Sequence, residues 1–342
     1  MTSKIAVNGR CFTRRITGVE RYAHEISKRM EPSPCVIAPN KILGQISGHL
    51  WEQFILPAQI QKNEILWSPA NAGPWIISNQ AITIHDASVF DHPEWFHPSF
   101  AAWTRLSWKI LAKRVKTVIT VSNFSRERLI HHLQIPEHKI HVIPNGVGKP
   151  FEPQPKNKIG EIRKKYDLSK PYFLFVGTHQ PRKNLGRLFE AFEKLNTTTH
   201  TLAVAGGKGK VFAEMGQIGN LTYNLGYVPD SDLPALYSGA SAALTTSLYE
   251  GSGLTALEAM ACGAPVIASN TTSFPEVTGD AALLVDPLNS NELAHAMKNI
   301  MENNSIANSL RELGFQRASQ FTWEESARKI QDIIGKGGDS HL

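Results

Sequence analysis

The sequence is poor in cysteine. Cys11, Cys35 and Cys262 are odd in number, widely spaced and form no CxxC pair. That disfavours a disulfide framework and a zinc knuckle, and it fits a reducing compartment. No apolar run reaches the length of a bilayer-spanning helix. The opening residues Met1 to Asn8 contain only three apolar residues in a row, so they lack the apolar centre of a secretory signal. The expectation is a cytoplasmic chain. No GxGxxG follows the first expected strand, which argues against a dinucleotide oxidoreductase. No His, Cys and carboxylate residues cluster with metal-ligand spacing, so neither a metal nor a cofactor is expected. Charged residues are only 19% of the chain and hydrophobic residues 42%, which excludes wholesale disorder.

The 342 residues exceed what one core usually serves, so two domains are expected. The net charge of +6 points to an anionic partner: nucleic acid, anionic lipid or a phosphorylated substrate. Nucleic acid has nothing beyond charge to support it. Residues 1–150 hold 18 Lys and Arg against 10 Asp and Glu, and the remainder holds 18 against 20. The change coincides with the proline-rich stretch from Pro150 to Lys158, which reads as a linker. The expected domains are residues 1–150 and 151–322. Residues 323–342 form a separate amphipathic helix and tail, free to pack back on the first domain.

Short apolar runs alternate with amphipathic stretches in both halves. Strands are expected at Lys4–Asn8, Cys35–Ala38, Ile65–Ser68, Ala81–His85, Thr117–Ser122 and His141–Pro144, and again at Tyr172–Gly177, Thr201–Ala205, Leu221–Leu225, Ala242–Thr246, Val266–Ala268 and Leu283–Val285. Helical patterns fall between several of these. This alternation predicts two parallel-sheet α/β domains. Open sheets of this kind bind ligands outside the carboxyl ends of their strands. Residues just after the strands are therefore candidates, among them His85-Asp86, Thr178 to Lys183, Gly226-Tyr227 and Glu250 to Gly253. If the two sheets face each other by these edges, the residues line one cleft.

The strongest single feature is Glu250-Gly251-Ser252-Gly253-Leu254-Thr255-Ala256-Leu257-Glu258. A strand ends, two glycines free the backbone and a helix begins, which makes an anion site suited to a diphosphate. Two carboxylates beside such a site call for hydroxyl groups, as on a sugar and a ribose. Thr255 to Glu258 also spells a capping box, S/T-x-x-E, and that reading stays open. Arg182 and Lys183 read either as a phosphate clamp or as a solvated turn before a helix.

Glu250 and Glu258, with the Ala-Met-Ala-Cys-Gly-Ala-Pro-Val-Ile-Ala-Ser run after them, resemble the E-x7-E signature of retaining glycosyltransferases of family 4. The resemblance extends to Gly18-Val19-Glu20-Arg21-Tyr22, His85-Asp86, Val121 to Ser125, Ile143 to Val147, Val176-Gly177 to Asn184, Gly226-Tyr227-Val228 and Pro275 to Ala282. It implies a GT-B fold, two Rossmann-like domains facing across a cleft, with the donor held mainly by the second and the acceptor mainly by the first. It implies metal-independent transfer with retention. Glu258 would hold ribose hydroxyls and Glu250 the donor sugar. The backbone of Gly251, Ser252, Gly253, Leu254 and Thr255 would take the diphosphate, and Arg182 and Lys183 would neutralise it. Gly177, Thr178, Gly226, Tyr227 and Val228 complete the donor side, with the last three beside the base. Gly18 would let its loop approach the donor, and His85 would contact the donor sugar. The implied reaction moves a sugar, mannose from GDP-mannose by preference, onto a saccharide or lipid-linked saccharide acceptor in surface polysaccharide or lipopolysaccharide synthesis. A non-catalytic two-lobed sugar-binding protein and a GT-B epimerase or phosphorylase are the alternatives. Two residues depart from the family pattern: Thr178 stands where many members have Arg, and Ser252 where Phe is frequent.

Other motifs are set aside. Asp230-Ser231-Asp232 resembles the DxD of the other glycosyltransferase fold but precedes a helix, where capping explains it. Gly206-Gly207-Lys208-Gly209-Lys210 lacks the spacing of a phosphate-binding P-loop. The sequon Asn123-Phe124-Ser125 has no meaning in a cytoplasmic chain. Phe100–Lys116 combines Trp103 and Trp108 with Arg105, Lys109, Lys113, Arg114 and Lys116. It reads first as a surface helix with Trp103, Leu106 and Ile110 in the core. Its second reading is a weak, peripheral contact with an anionic membrane.

Overall fold

The computed structural model describes residues 4–14, 16–207 and 221–336. The chain forms two compact units. One runs to Gly146 and takes back the chain from Trp323; the other is Val147–Thr322. The division falls before the proline-rich stretch because Val147 and Phe151 are buried in the core of the second unit. The helix Lys156–Lys165 then begins inside the last residues of the segment read as linker.

The first unit has a six-stranded sheet in the order β2-β1-β3-β4-β5-β6. Its strands are β1 Lys4–Asn8, β2 Cys35–Ile37, β3 Glu64–Ser68, β4 Gln80–Thr83, β5 Thr117–Thr120 and β6 Ile140–Val142, and all pair in parallel. Ile82, Trp108, Leu111, Val118 and Leu129 form one core cluster, and Ala6, Ile37, Trp51, Leu56 and Leu66 another. The helix Pro98–Arg114 turns Trp108, Leu111 and Ala112 inward. Leu106, expected in the core, is 52% exposed. The apolar residues of this helix are spread around its axis, so their spacing alone did not single out the buried face.

The final helix, Trp323–Lys336, buries Trp323, Ala327, Ile330 and Ile334. That i, i+4, i+7, i+11 spacing lines one helical face. It packs on the helix Gly18–Ser27, with the Trp323 ring 6.4 Å from that of Tyr22 and Arg29 Nε donating to Glu324 at 2.6 Å.

The second unit repeats the architecture with β7 Tyr172–Val176, β8 Thr201–Ala205, β9 Thr222–Gly226, β10 Ala242–Thr245, β11 Val266–Ser269 and β12 Ala282–Val285. The order is β12-β11-β10-β7-β8-β9, again all parallel. Its central strands read as near-continuous apolar runs because both faces are covered. Tyr172, Leu174 and Ala203 pack on one side, and Phe173, Phe175, Leu202 and Val204 on the other, as the two-residue period of a strand requires. Strand order reverses between β7 and β10, which makes the carboxyl ends of these two neighbours the expected binding place. Among the described residues no helix is long and apolar enough to cross a membrane.

Candidate active site

The loops after β7 and β10 meet at this reversal. After β7 the chain runs to a short turn, Pro181–Lys183, and Asn184 follows with φ of 57°. The Asn184 amide donates to the Pro287 carbonyl at 2.7 Å and fixes the turn. The Leu248 N–H bonds the Arg182 carbonyl at 2.7 Å, and Thr246 Oγ1 donates to the Lys183 carbonyl at 3.3 Å, so one main-chain and one side-chain bond tie the two loops together. Their side chains then converge. Lys183 Nζ lies 2.6 Å and Arg182 Nη1 3.2 Å from the same oxygen, Oε2 of Glu250. Arg182 Nη1 also reaches the Tyr249 carbonyl at 3.3 Å. Thr272 Oγ1 accepts from the Glu250 N–H at 3.3 Å, and Ser273 Oγ donates to its carbonyl at 2.9 Å.

This is a buried charge cluster. Burial alone would raise the Glu250 pKa. The fields of Lys183 and Arg182, with hydrogen bonds from Lys183 and Ser247, outweigh it and hold the carboxylate at about 2. Lys183 is itself buried, which removes the reading of Arg182-Lys183 as a solvated turn.

Gly253 opens the helix Leu254–Ala261 with φ of 59°. Only glycine adopts this conformation without strain, and a Cβ here would also stand 3.2 Å from Val277 Cγ1. Gly251 and Gly253 are buried, while Ser252 and Thr255 are partly open. The amides at the start of this helix carry the positive end of its dipole. Glu258 is buried at the fifth helical residue. The cap is Gly253, not Thr255, and no acidic residue lies in the first turn, so the capping box read at Thr255–Glu258 is not formed. The glycine pair starts the helix earlier than the side-chain signal suggested. The capping box that does form is Thr17 with Glu20, at the helix begun by Gly18.

The remaining donor-side candidates lie along the carboxyl ends of β7, β8 and β9. The Gly177 N–H bonds the Ala205 carbonyl at 2.9 Å, and the Gly206 N–H bonds the Gly226 carbonyl at 2.7 Å. A Cβ on Gly206 would lie 1.9 Å from the Gly177 carbonyl oxygen, so this edge requires glycine. Thr178 is exposed, and Gly226 has φ of 63°. Tyr227 stands outward, and Val228 is buried in the core. Lys208, Gly209 and Lys210 lie outside the described residues.

His85 and Gly18 belong to the other unit. His85 follows β4, and its Nε2 is 2.9 Å from the Pro69 carbonyl. A carbonyl only accepts, so Nε2 carries the proton and Nδ1 is the acceptor. Burial lowers the His85 pKa and keeps the ring neutral. Asn71 Oδ1 accepts from its N–H at 2.8 Å, and Ser125 Oγ donates to its carbonyl at 3.1 Å. Tyr22, one turn into the helix begun by Gly18, meets the His85 ring edge-on at 4.8 Å. Tyr22 and Trp67 both hydrogen-bond Thr83 Oγ1 at 3.1 Å. Of the supports of the two centres, Ser125 lies in the Val121–Ser125 segment of the resemblance, while Asn71 in the same unit and Ser247, Thr272 and Ser273 in the other were not read from sequence. Only the turn residues after strands hinted at them.

Asp232 does not cap its helix through the side chain. Its carboxylate takes Lys165 Nζ and the Tyr166 hydroxyl, each at 2.7 Å. Among the described residues no group of three or more His, Cys, Asp and Glu is placed to hold a metal ion.

Residues 158–317, which carry the ion-paired cluster, match the family of glycosyl transferases group 1, and residues 68–148, which carry His85, match glycosyltransferase family 4. The O-antigen chain mannosyltransferase B of Escherichia coli is 33% identical over 274 residues, 77% of this chain and 72% of that protein. The O-antigen chain mannosyltransferase RfbU of Salmonella typhimurium is 32% identical over 232 residues, 66% of this chain and 62% of its own. The structure of Anabaena HepE in complex with UDP and glucose superposes with a TM-score of 0.80 at 18% identity, covering 98% of this chain and all of that one. The two family matches, the relative at 33% identity and the paired parallel sheets agree: the chain is a glycosyltransferase of family 4 with the GT-B fold.

Proposed function

We propose that the protein transfers mannose, with retention at the anomeric carbon and without a metal, from a nucleoside diphosphate sugar to a saccharide acceptor of a surface polysaccharide. The convergence of Lys183, Arg182 and Glu250 beside the Leu254–Ala261 helix carries this reading. It supplies two cations and helix amides for a diphosphate, together with a carboxylate for sugar hydroxyls. The mannosyltransferase names of the relatives support mannose, and GDP-mannose is the proposed donor. Acceptor synthesis at the cytoplasmic face of a membrane is the proposed setting.

In the proposed reaction the bond from the anomeric carbon to the β-phosphate oxygen breaks and the acceptor oxygen takes its place. The nucleoside diphosphate leaves with the electron pair and receives the hydroxyl proton. Charge grows on the departing phosphate, and Lys183 and Arg182 stabilise it there more than in the bound donor, which is what lowers the barrier. Lysine has three N–H donors and arginine five, so both serve a phosphate while still holding Glu250. Glu250 faces the developing positive charge of the sugar ring, and Glu258 holds the ribose. Neutral His85 offers Nδ1 to a sugar hydroxyl.

The test is a panel of GDP-, UDP-, dTDP- and ADP-sugars with a mannosylated acceptor, run with and without excess EDTA. Release of GDP with extension of the acceptor, unchanged by EDTA, is expected. Hydrolysis without extension, or a rate lost to EDTA and restored by Mg²⁺ or Mn²⁺, overturns the reading.

A further inference from the structure

Strand β3 ends at Ser68, which pairs with Ile82 of β4. One further rung follows, and it is irregular. The Asn71 N–H donates to the Thr83 carbonyl at 3.0 Å, and the His85 N–H donates to Asn71 at 2.8 Å. Bonding the two residues that flank Ile84 is what a paired residue does in a parallel ladder. The acceptor, however, is the side-chain Oδ1 of Asn71 and not its carbonyl. Asn71 has φ of 62°, which a strand residue does not adopt. Its own carbonyl is turned out of the ladder and takes the Trp108 Nε1–H at 2.7 Å. Asparagine meets both demands. It tolerates the left-handed region, and its short amide reaches a nearby main-chain group.

This rung also aims a ring. Pro69, two residues before Asn71 in the same turn, accepts the His85 Nε2–H at 2.9 Å. The turn therefore holds His85 twice, by its main chain and by its imidazole, while Ser125 Oγ holds its carbonyl. The helix Pro98–Arg114 grips the turn in its own right. Besides the Trp108 bond, Ser107 Oγ accepts from Trp75 Nε1 at 3.0 Å. Arg105 Nε donates to the Val89 carbonyl at 2.8 Å, and its Nη2 donates to the Phe90 carbonyl at 3.3 Å. One turn of this helix thus fixes the segments before and after His85. Trp108 is buried, so its N–H left without the Asn71 carbonyl would be an unsatisfied donor in the core.

We propose that Asn71 is a positioning residue for His85. Its side-chain oxygen completes the ladder that carries His85, and Trp108 pins its main chain in the left-handed turn that brings the Pro69 carbonyl to the imidazole. The proposal rests on the reading of His85 as a contact of the transferred sugar; Asn71 acts through His85 and touches no substrate itself. With Nε2–H engaged by Pro69, the ring keeps one orientation and one tautomer, and Nδ1 is the nitrogen offered to a hydroxyl. Without the Asn71 oxygen the His85 main chain loses its partner on the β3 side. The turn then shifts against β4, the ring is free to turn over, and Nδ1 is offered in only part of the molecules. Small displacements of this kind are costly where a reacting group must be held in one geometry.

The test compares the full chain with Asn71→Gly, Asn71→Asp, His85→Ala and the double variant Asn71→Gly/His85→Ala. Glycine keeps the left-handed backbone without strain and removes only the acceptor, while aspartate keeps the acceptor. The first readout is the long-range proton–nitrogen spectrum of protein labelled with ¹⁵N-histidine, taken at pH 8, with His85 assigned by the signals that vanish in His85→Ala. The parent and Asn71→Asp should show a single Nε2–H tautomer, and Asn71→Gly a mixture. The second readout is transfer from GDP-mannose to a saccharide acceptor. Asn71→Gly and His85→Ala should each lower kcat/KM roughly tenfold, the double variant should fall no further than His85→Ala, and Asn71→Asp should stay close to the parent. GDP, which carries no sugar, should bind all five proteins equally. An Nδ1–H tautomer in the parent, a parent-like spectrum in Asn71→Gly, or losses that add in the double variant overturn the proposal. An undiminished rate in His85→Ala overturns it together with the sugar contact. If GDP-mannose is no donor, the donor reading falls by itself, and the spectra alone decide on Asn71.

Discussion

Replacing Lys183 by Met probes the charge cluster directly. Lys183 Nζ stands 2.6 Å from Glu250, and the two side chains are 8% and 14% exposed. Removing one partner of a buried pair costs about 3–5 kcal/mol, because the other charge stays buried without compensation; replacing both is close to neutral. Arg182 remains 3.2 Å from Glu250, so Lys183→Met should fall at the lower end of that range. Glu250→Gln leaves two cations facing a neutral amide and should cost about as much. The double variant should return to within about 1 kcal/mol of the parent, a coupling of several kcal/mol where independent sites would simply add. The pH dependence follows from the same charges. Glu250 sits at about 2 against an ordinary 4.5. Its contribution is therefore complete above 4.5 and lost as pH falls toward 2. In Lys183→Met, burial is less opposed and the Glu250 pKa rises, so the variant takes up a proton earlier. Between that point and about 2, each pH unit narrows the variant's gap to the parent by about 1.4 kcal/mol. Urea unfolding at pH 7 and pH 4 on the four proteins measures both effects. Additive losses, or a gap between Lys183→Met and parent equal at the two pH values, would refute the reasoning.

Glu258→Gln should leave the melting temperature nearly unchanged, since no capping box depends on it, and weaken nucleotide binding roughly ten- to a hundredfold. An isothermal titration with unchanged affinity removes Glu258 from the ribose role. Glu258→Ala should mainly raise KM, while Glu250→Ala should mainly lower kcat; steady-state kinetics showing the reverse would exchange their roles. Gly253→Ala forces a Cβ into the left-handed region and against Val277, and should cost at least about 1–2 kcal/mol in urea unfolding. Equal stability would contradict the tight glycine start of that helix. Burial holds the His85 pKa below its ordinary 6.5, so its contribution is complete above 6.5 and lost as pH falls through the folded value. His85→Phe should flatten the acid-side loss of stability between pH 7 and 5, and an unchanged slope would count against a neutral buried ring.

Much of this fold is legible in the residues. The strands Lys4–Asn8 and Thr201–Ala205 appear at the bounds their apolar runs indicate, because such runs are local properties. Helix 45–59 was invisible for the opposite reason. Gly44, Gly48 and Pro57 read as breakers, Phe54 and Ile55 face outward, and Glu52 faces inward, so the pattern is set by Arg10, far away in sequence. The buried face of the Pro98–Arg114 helix was misplaced because tertiary packing chose Trp108 over Trp103 and Leu106. At the site, Glu250, Arg182 and Lys183 were legible as residues after strands. That all three share one carboxylate oxygen was not, since the pairing depends on β7 and β10 being neighbours in space.

The most direct measurement is proton NMR of the product formed from GDP-α-mannose and a saccharide acceptor, by the parent and by Glu250→Gln. Mannosyl transfer with retention at the Lys183–Arg182–Glu250 cluster gives an α-linked mannose, free GDP, and a rate in Glu250→Gln reduced by at least about tenfold. A β-linked product, or an undiminished rate in Glu250→Gln, contradicts it.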